Sequence, residues 1–405
     1  MLAVISDKNL FLYSFSKWIT TLVVAMTVLA CKKQFTPPVL ISDNSRYLVI
    51  EGVINAGNDS TIIKLSRTKK IDTLRTVFPE ANAQVSVESD GSNTFVLREI
   101  TTGTYAAAPL GLDNSHKYRL RIKTSDNKEY VSDFIPVKNA PPIDSVGFAA
   151  KTIGLEIYVN THDANNATKY YRWEYREDWQ FHSAYVSTYY SDGLNALSAR
   201  LVSQQVYYCF GSVQSSNILI ASTTKLNSDV IYHSLITVVP PTSEKLETRY
   251  SILVKQYALT SDAYSFWDNM QKNTEKLGSI FDVLPSESQT NYHCVSNPNE
   301  LVIGYLSVGN PSYQRIFISA DQLLSGYSPV YPTVCEIDTA FQNPPHSGTL
   351  PIADLIPASS PYVPVLGLYL KPPNINGSPT AYTYSTILCA DCTVRGTTTM
   401  PAFWK

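Results

Sequence analysis

The sequence has little charge, few methionines and none of the short motifs that identify common enzyme classes. Charged residues make up 16% of the 405 positions and the formal net charge is −2, so no basic excess indicates binding to nucleic acid. The chain has no H-E-x-x-H, Walker, G-x-S-x-G or Rossmann motif. With 44% hydrophobic residues, it still has the composition of a folded protein rather than a disordered one.

Metal-ligand spacing is also missing from the sequence. The chain contains a single C-x-x-C, whereas a zinc site of that type needs two further ligands. We therefore predict no metal, no cofactor and no catalytic residue, and we interpret the protein as a non-enzyme. A Ser-His-Asp triad stays open as an alternative, because its members come together only in space. The six histidines are scattered, at positions 116, 162, 182, 233, 293 and 346.

Only one apolar run stands out, and it lies near the amino terminus. The stretch Ile19–Ala30 carries no charge, is too short to span a membrane comfortably and has the length of a signal-peptide core. It ends in Val-Leu-Ala-Cys, which resembles the bacterial lipobox and predicts lipidation of Cys31. Residues 1–30 are therefore predicted to be a lipoprotein signal peptide. The alternative is an ordinary secretory signal in which Cys31 has no role.

The predicted anchor implies a cellular location for the protein. Acyl chains on Cys31 would tether the folded part to a membrane. Lys32, in place of an aspartate, suits sorting to the outer membrane. No acidic cluster follows the cysteine, so the choice between the periplasmic and the surface face stays open.

Strand patterns dominate the rest of the chain, in keeping with 27 tyrosines against 4 methionines. After a tether at 31–45, seven short strand patterns between 46 and 140 predict an immunoglobulin-like β-sandwich. Residues 143–405 predict a second β-rich domain with one packed amphipathic helix, 261–277, and a loop-rich carboxyl-terminal tail. The expected fold class is therefore mainly β. Ser261 is the expected N-cap of the helix, and Gly278 follows it as a C-cap.

Aromatic residues are concentrated between positions 170 and 190. The alternation in "YYRWEYR" predicts that Tyr171, Trp173 and Tyr175 face the core. Exposed aromatic rings can stack on sugars or anchor a protein partner. Trp179, beside two acidic residues at the end of the alternation, is the strongest candidate for such a contact. The candidate binding residues are Trp179, Tyr185, Tyr189 and Tyr190.

Cysteine usage indicates disulfides, because the predicted compartment is oxidising. If Cys31 is lipidated, five cysteines remain. They can form two disulfides and leave one free thiol, and fifteen such arrangements are possible. We favour pairing of Cys389 or Cys392 with Cys335 or Cys209 over closure of the small local ring. The disulfide candidates are Cys209, Cys294, Cys335, Cys389 and Cys392.

Several stretches resemble a known family. They are "YLVIEGVIN" with "IIKLSRT", then "PPIDSV", then "LVKQYALTSDAYSFWDNMQKNTEKLGSIFD", "ELVIGYLSV" with "QRIFIS", and "CADC" followed by "PAFW". Together they resemble the Bacteroidota outer-membrane lipoproteins grouped as domain of unknown function 4249. One departure is "SQTNYHC" after "GSIFDVLPSE", where the family pattern leads us to expect a Gly-Asn turn. The resemblance implies no catalytic residues, and it implies association with a TonB-dependent outer-membrane receptor.

These observations lead to one main functional hypothesis and two alternatives. The main hypothesis is an outer-membrane-anchored accessory or ligand-binding subunit that works with a TonB-dependent transporter. The first alternative is an extracytoplasmic hydrolase acting on glycans or peptides, which would need a carboxylate pair or an organised Ser/His pair in a cleft. The second alternative is a structural or adhesive surface module.

Overall fold

The part of the chain that the structure describes is built mainly of β-strands. This structure is a computed structural model, and the predicted signal peptide, Cys31 and the tether lie outside its described residues. All elements below belong to one unit, Tyr47–Lys405. The described residues are 46–68, 78–191, 197–275, 290–331, 333–342, 351–356, 360–369 and 379–404.

Three groups of elements follow one another along the chain. The first group comprises β1 (Leu48–Asn55), β2 (Thr61–Arg67), β3 (Phe78–Pro79), β4 (Gln84–Ser89), β5 (Thr94–Thr101), β6 (Thr104–Ala107), β7 (Lys117–Lys123), β8 (Glu129–Ser132), β9 (Ile135–Pro136) and β10 (Lys138–Asn139). The second comprises β11 (Ile143–Lys151), β12 (Gly154–His162), β13 (Tyr170–His182), β14 (Tyr189–Ser191), β15 (Leu197–Ala199), β16 (Tyr208–Gln214), β17 (Leu219–Ser222), β18 (Val230–Val239), β19 (Arg249–Ala258) and the helix α1 (Ser261–Thr274). The third comprises β20 (Tyr292–Cys294), β21 (Val302–Ile303), β22 (Val308–Asn310), β23 (Ser312–Ser319), β24 (Asp338–Phe341), α2 (Ile352–Leu355), β25 (Tyr362–Leu368), β26 (Ala381–Thr386) and α3 (Ile387–Ala390).

The amino-terminal strands form one long sheet that encloses its own core. Its order is β10-β22-β1-β2-β6-β5-β4-β7-β8-β20, with β3, β9 and β21 attached at the sides. Each of the seven predicted strand patterns contains a strand; the last pattern, 129–137, contains both β8 and β9, and β3 and β10 are additional strands of two residues each. Alternate residues point inward, as the period of a half-buried strand requires. The largest fully buried side chains of this core are Tyr105, Tyr130, Leu48, Ile54, Ile63, Leu65, Leu120 and Ile122.

The chain returns to this first sandwich after the helix. β20 pairs with β8, β21 pairs in parallel with β1, and β22 lies between β1 and β10, parallel to both. Backbone hydrogen bonds of 3.0 Å, from Ile54 N to Ser307 O and from Ala56 N to Gly309 O, hold β22 in place. The structure thus pairs residues 292–310 with the first sandwich, whereas the sequence analysis assigned them to the second domain.

A second sandwich is built from β11, β12, β13, β16, β17, β18, β19 and β23. A three-stranded antiparallel sheet, β11-β12-β18, faces a four-stranded one, β16-β13-β19-β23, and β17 extends the edge of β13. Seven main strands in two antiparallel sheets around a core are the arrangement of an immunoglobulin-like sandwich. Tyr171, Trp173 and Tyr175 are at most 5% exposed, which confirms their predicted place in the core. The ring nitrogen of Trp173 donates a 2.8 Å hydrogen bond to the side chain of Gln256, so this buried polar atom is satisfied.

Helix α1 follows β19 and differs slightly from the prediction at both ends. Its N-cap is Thr260 rather than Ser261, because the Thr260 side chain accepts a 3.2 Å hydrogen bond from the backbone N–H of Ala263. The helix ends at Thr274, and the predicted C-cap, Gly278, lies outside the described residues. Ala263 and Phe266 are buried, as the predicted apolar stripe requires.

The predicted loop-rich tail contains a small sheet and two disulfides. The sheet order is β24-β26-β25, and its core includes Ala340, Ile352, Ile356 and Tyr382. Sequence patterns missed this sheet because its strands are short and lie between proline-rich turns.

Two disulfides fix the tail. Cys209 of β16 is bonded to Cys392, and Cys335 is bonded to Cys389. Cys294 is a buried free thiol. The structure therefore has the two bridges and one free cysteine that the sequence predicted, and both bridges join a cysteine of "CADC" to a distant partner.

Beyond the first disulfide, the last residues cover the second sandwich. The ring of Trp404 packs edge-on against Phe210 and Phe317, with centroids 5.1 and 5.5 Å away. The guanidinium of Arg315 lies 3.6 Å from the ring centroid of Phe403. The aromatic end of the tail thus covers one end of the four-stranded sheet.

The two disulfides are expected to differ in their effect on stability. Their cysteines are separated by 183 and 54 residues, and a longer closed loop removes more entropy from the unfolded chain. Replacing both Cys209 and Cys392 by alanine is expected to lower the unfolding free energy by about 1 kcal/mol more than replacing Cys335 and Cys389. Urea unfolding of the two double variants measures this difference. An equal or reversed order would contradict the assignment.

Candidate functional site

A polar cleft separates the outer surface of β1 and β2 from the outer face of the four-stranded sheet. Its volume is about 640 Å³, within the range of small-ligand sites. Both sandwiches contribute lining residues, so the cleft exists only in the assembled unit. The residues that line it are Glu51, Gly52, Val53, Asn55, Ser60, Ile62, Lys64, Glu174, Tyr175, Arg176, Gln214, Ser215, Leu253, Lys255, Tyr257 and Pro311.

The wall on the second sandwich is a charged ladder across β13 and β19. Alternation along β13 places Glu174 and Arg176 on the outer face, and Glu174 lies opposite Lys255 in the antiparallel register. Tyr257 donates a 2.9 Å hydrogen bond from its hydroxyl to Oε2 of Glu174. Arg172 pairs with the other oxygen of the same carboxylate. Glu174 is therefore held in one orientation from two sides.

Helix α1 contacts the same outer face of the sheet, beside this wall. The guanidinium of Arg172 lies 3.9 Å from the ring centroid of Trp267 and 5.4 Å from that of Tyr257. Stacking a guanidinium between aromatic rings is favourable and restricts its orientation. Trp267, which the sequence analysis treated only as a core residue of the helix, thus also positions a charge near the cleft.

The opposite wall depends on a close approach of β1 and β2. Gly52 has φ +136°, and a Cβ atom there would lie 2.4 Å from the carbonyl oxygen of Ile62. Only glycine fits this conformation and this contact. Glu51 and Lys64 lie opposite each other across the two strands, and Ile62 is 45% exposed beside them. This wall therefore offers one charge of each sign and an apolar side chain.

The cleft has a small excess of positive charge. Its lining includes the cations Lys64, Arg176 and Lys255 and the anions Glu51 and Glu174. Burial and the neighbouring Glu174 carboxylate raise the pKa of Tyr257 well above its ordinary value, so its hydroxyl stays a donor. The arrangement can bind a polar ligand or a protein segment through charges and hydrogen bonds on both sides.

The structure places the four predicted binding residues elsewhere, near the disulfide-linked tail. Trp179 is half-buried, and its ring occupies the space above Gly211. Lys245 lies 5.3 Å from the ring centroid of Trp179, and the indole nitrogen is 3.4 Å from Oε1 of Glu244. Much of this ring is therefore used for packing within the second sandwich.

Two of the three tyrosines of the set, Tyr185 and Tyr189, join the second sandwich to the tail. Tyr185 donates a 2.8 Å hydrogen bond from its hydroxyl to the carbonyl oxygen of Cys335. Tyr189 packs edge-on against Tyr382, and a hydrogen bond with Tyr369, together with burial, raises its pKa to about 12. Tyr190 lies 5.7 Å from the guanidinium of Arg200. In the described part of the chain, these residues do not line the cleft.

The sequence predicted which side chains of β13 face outward and line one wall of the cleft. The alternation that buries Tyr171, Trp173 and Tyr175 also places Glu174 and Arg176 on the opposite face. The strands of the other wall, β1 and β2, were also predicted, but nothing indicated that the two walls face each other, because they come from distant parts of the chain.

Within the described ranges of the chain, no three or more His, Cys, Asp or Glu side chains are grouped to hold a metal ion. None of the helices in the same ranges combines the length and the apolar character needed to cross a membrane.

Comparison with known proteins gives a family match and two distant structural similarities. The family model described as "Domain of unknown function (DUF4249)" matches residues 33–315. No curated protein matches the chain. A two-domain fibronectin type-III segment from chicken tenascin is 11% identical over 54% of this chain and 93% of its own length, with a TM-score of 0.15. The BSP domain of a biofilm-associated protein is 9% identical over 73% of this chain and 63% of its own length, with a TM-score of 0.13.

The hydrogen bond between Tyr257 and Glu174 is expected to affect stability in a pH-dependent way. Tyr257→Phe should lower the unfolding free energy by about 1 kcal/mol near neutral pH, because the half-buried carboxylate of Glu174 loses a donor. Burial and Glu174 raise the folded-state pKa of Tyr257 above the ordinary value of 10.0. The proton therefore stabilises the fold below pH 10, and this contribution is lost as the pH rises further.

The wild type should consequently lose stability faster than Tyr257→Phe above pH 10, by about 1.4 kcal/mol per pH unit. Urea unfolding at several alkaline pH values measures both slopes. Tyr313→Phe, at an exposed tyrosine of β23, is the matched control and should unfold like the wild type. Identical alkaline slopes for the wild type and Tyr257→Phe would contradict the role given to this hydroxyl.

Proposed function

Since the chain belongs to the family described as "Domain of unknown function (DUF4249)", we propose that it is an outer-membrane-anchored lipoprotein that binds a partner through the cleft between its two sandwiches. The proposed partner is a TonB-dependent outer-membrane transporter, and the protein is its accessory subunit. The family description assigns no activity, so the proposal depends on the site itself.

The cleft is the observation that carries this proposal. Its volume of about 640 Å³ is sufficient for a loop of a partner protein or for a small ligand. Charges of both signs line it, and such surfaces give specificity and direct the approach of a charged partner. The small positive excess favours an acidic segment as the occupant.

Two further observations support a location outside the cytoplasm. Disulfides form and persist in oxidising compartments, and the protein has two of them. The family match begins at residue 33, just after Cys31, so the matched part follows the predicted signal peptide and lipidation site. Lipidation itself belongs to the proposal, because Cys31 lies outside the described residues.

Site-specific photocrosslinking tests the role of the cleft. A photoreactive phenylalanine analogue is placed at Lys64 on one wall or at Gln214 on the other, since both side chains are exposed. After irradiation of intact cells, each position is expected to form a covalent adduct that mass spectrometry identifies as a TonB-dependent receptor.

The matched control position is Ile153. It is 69% exposed and lies in the turn between β11 and β12, so it is equally accessible but does not line the cleft. Adducts of similar yield from Ile153 would show that crosslinking is not specific to the cleft. Absence of a receptor adduct from both cleft positions would overturn the proposed partner.

The anchor is tested separately. Cys31→Ser is expected to abolish incorporation of labelled palmitate and to move the protein from the outer-membrane fraction to a soluble fraction. Cys294→Ser, which removes a buried free thiol, is the control for general effects of cysteine loss. Unchanged membrane fractionation of Cys31→Ser would overturn lipid anchoring.

A further inference from the structure

We propose that a second pocket, beside helix α1, binds an acidic saccharide through two tyrosine rings. The pocket has a volume of about 460 Å³ and shares no lining residue with the cleft. It lies where the beginning of β13, the end of β17 and the first turns of α1 meet. Its lining residues are Tyr170, Ser222, Thr224, Lys225, Ser261, Tyr264 and Ser265.

The aromatic part of the pocket is a pair of rings in fixed positions. The centroids of Tyr170 and Tyr264 are 5.0 Å apart, and their planes are tilted by 38°. The backbone holds both residues, because Leu259 N donates to Tyr170 O at 2.9 Å and Tyr264 N donates to Thr260 O at 3.0 Å. Both side chains are half-buried, so they keep part of their surface for a ligand.

The chemistry of these rings suits the apolar face of a sugar. The face of an aromatic ring is electron-rich and attracts the weakly positive C–H groups of a pyranose. Two rings tilted by 38° offer two such faces at an angle. An extended apolar ligand would gain less here, because the rest of the lining is polar.

Hydroxyl groups make up most of this polar lining. Ser222 and Thr224 have their hydroxyl oxygens 2.9 Å apart, and Ser265 donates to the carbonyl oxygen of Ser261 at 3.0 Å. Each hydroxyl can both donate and accept, and can reorient to suit a ligand. A set of such groups beside aromatic rings matches a polyhydroxylated molecule.

Lys225 determines which class of saccharide fits best. It is the single charged side chain among the described lining residues, and it is exposed. An ammonium group at the edge of a hydroxyl-rich pocket favours a sugar that carries a carboxylate. A uronic acid residue supplies the ring, the hydroxyls and the negative charge in one unit.

Affinity electrophoresis with defined polysaccharides tests this proposal. Gels contain polygalacturonate, alginate or hyaluronan as uronate polymers, or dextran as a neutral polymer. At least one uronate polymer is expected to slow the wild-type protein, and dextran is not. Tyr264→Ala should weaken this retention about tenfold, because it removes one ring, whereas Tyr264→Phe keeps the ring and should retain it.

Two further variants separate binding from folding. Lys225→Ala should weaken retention by the uronate polymer and reduce its dependence on salt. Tyr232→Ala, at a tyrosine of β18 that is 81% exposed, is the control and should behave like the wild type. The proposal is overturned if no uronate polymer slows the protein, if dextran slows it equally, or if Tyr264→Ala is retained like Tyr264→Phe.

Discussion

The parallel pairing of β22 with both β1 and β10 is the constraint on which the geometry of the cleft depends. β22 is only three residues long, but it immediately precedes β23, the edge strand of the second sandwich. A Cβ at Gly309 would lie 2.3 Å from the carbonyl oxygen of Lys138, so the strands approach more closely here than another residue would allow. Because the segment β22 of the first sandwich is separated from β23 of the second by a single residue, this short link sets the separation of the two walls of the cleft. Pro311, which follows this segment, lines the cleft itself.

The outer face of the four-stranded sheet is used in two different ways along its length. Near the first sandwich, Glu174 and Arg176 remain available at the cleft. Farther along β13, the next outward residue, Asp178, is fully buried and pairs with Arg315 at 2.8 Å. The aromatic tail residues cover this end and exclude water from the ion pair. The outward-facing residues of β13 thus form an open wall of the cleft at one end and a surface covered by the tail at the other. The Cys209–Cys392 bridge holds the tail at this second surface.

Sequence patterns predicted the local features well and the long-range ones poorly. Strand alternation correctly identified the seven main strands of the first sandwich and the buried face of β13. Two bridges and one free thiol were predicted from the number of cysteines alone, because this count does not depend on how the chain folds. The helix was placed within a few residues, but its cap was missed because Thr260 and Ser261 are both good capping residues. A strand was expected at 300–308, but its return to the first sandwich was missed, since strands of two or three residues are too short to show which sheet they join. The cleft was missed for the same reason, because its two walls meet only through that return.

The return of β20, β21 and β22 also determines the order in which the protein can mature. The first sandwich begins at residue 48, yet the strands that cover the open edges of β1 and β8 are not synthesised until residues 292–310. For most of synthesis, these edges present unpaired backbone groups that can join with other chains. The second sandwich faces the same delay, because β23 follows the return. Neither sandwich can therefore finish folding until these residues are made, and a chain truncated before residue 310 would contain two incomplete sandwiches rather than one finished domain.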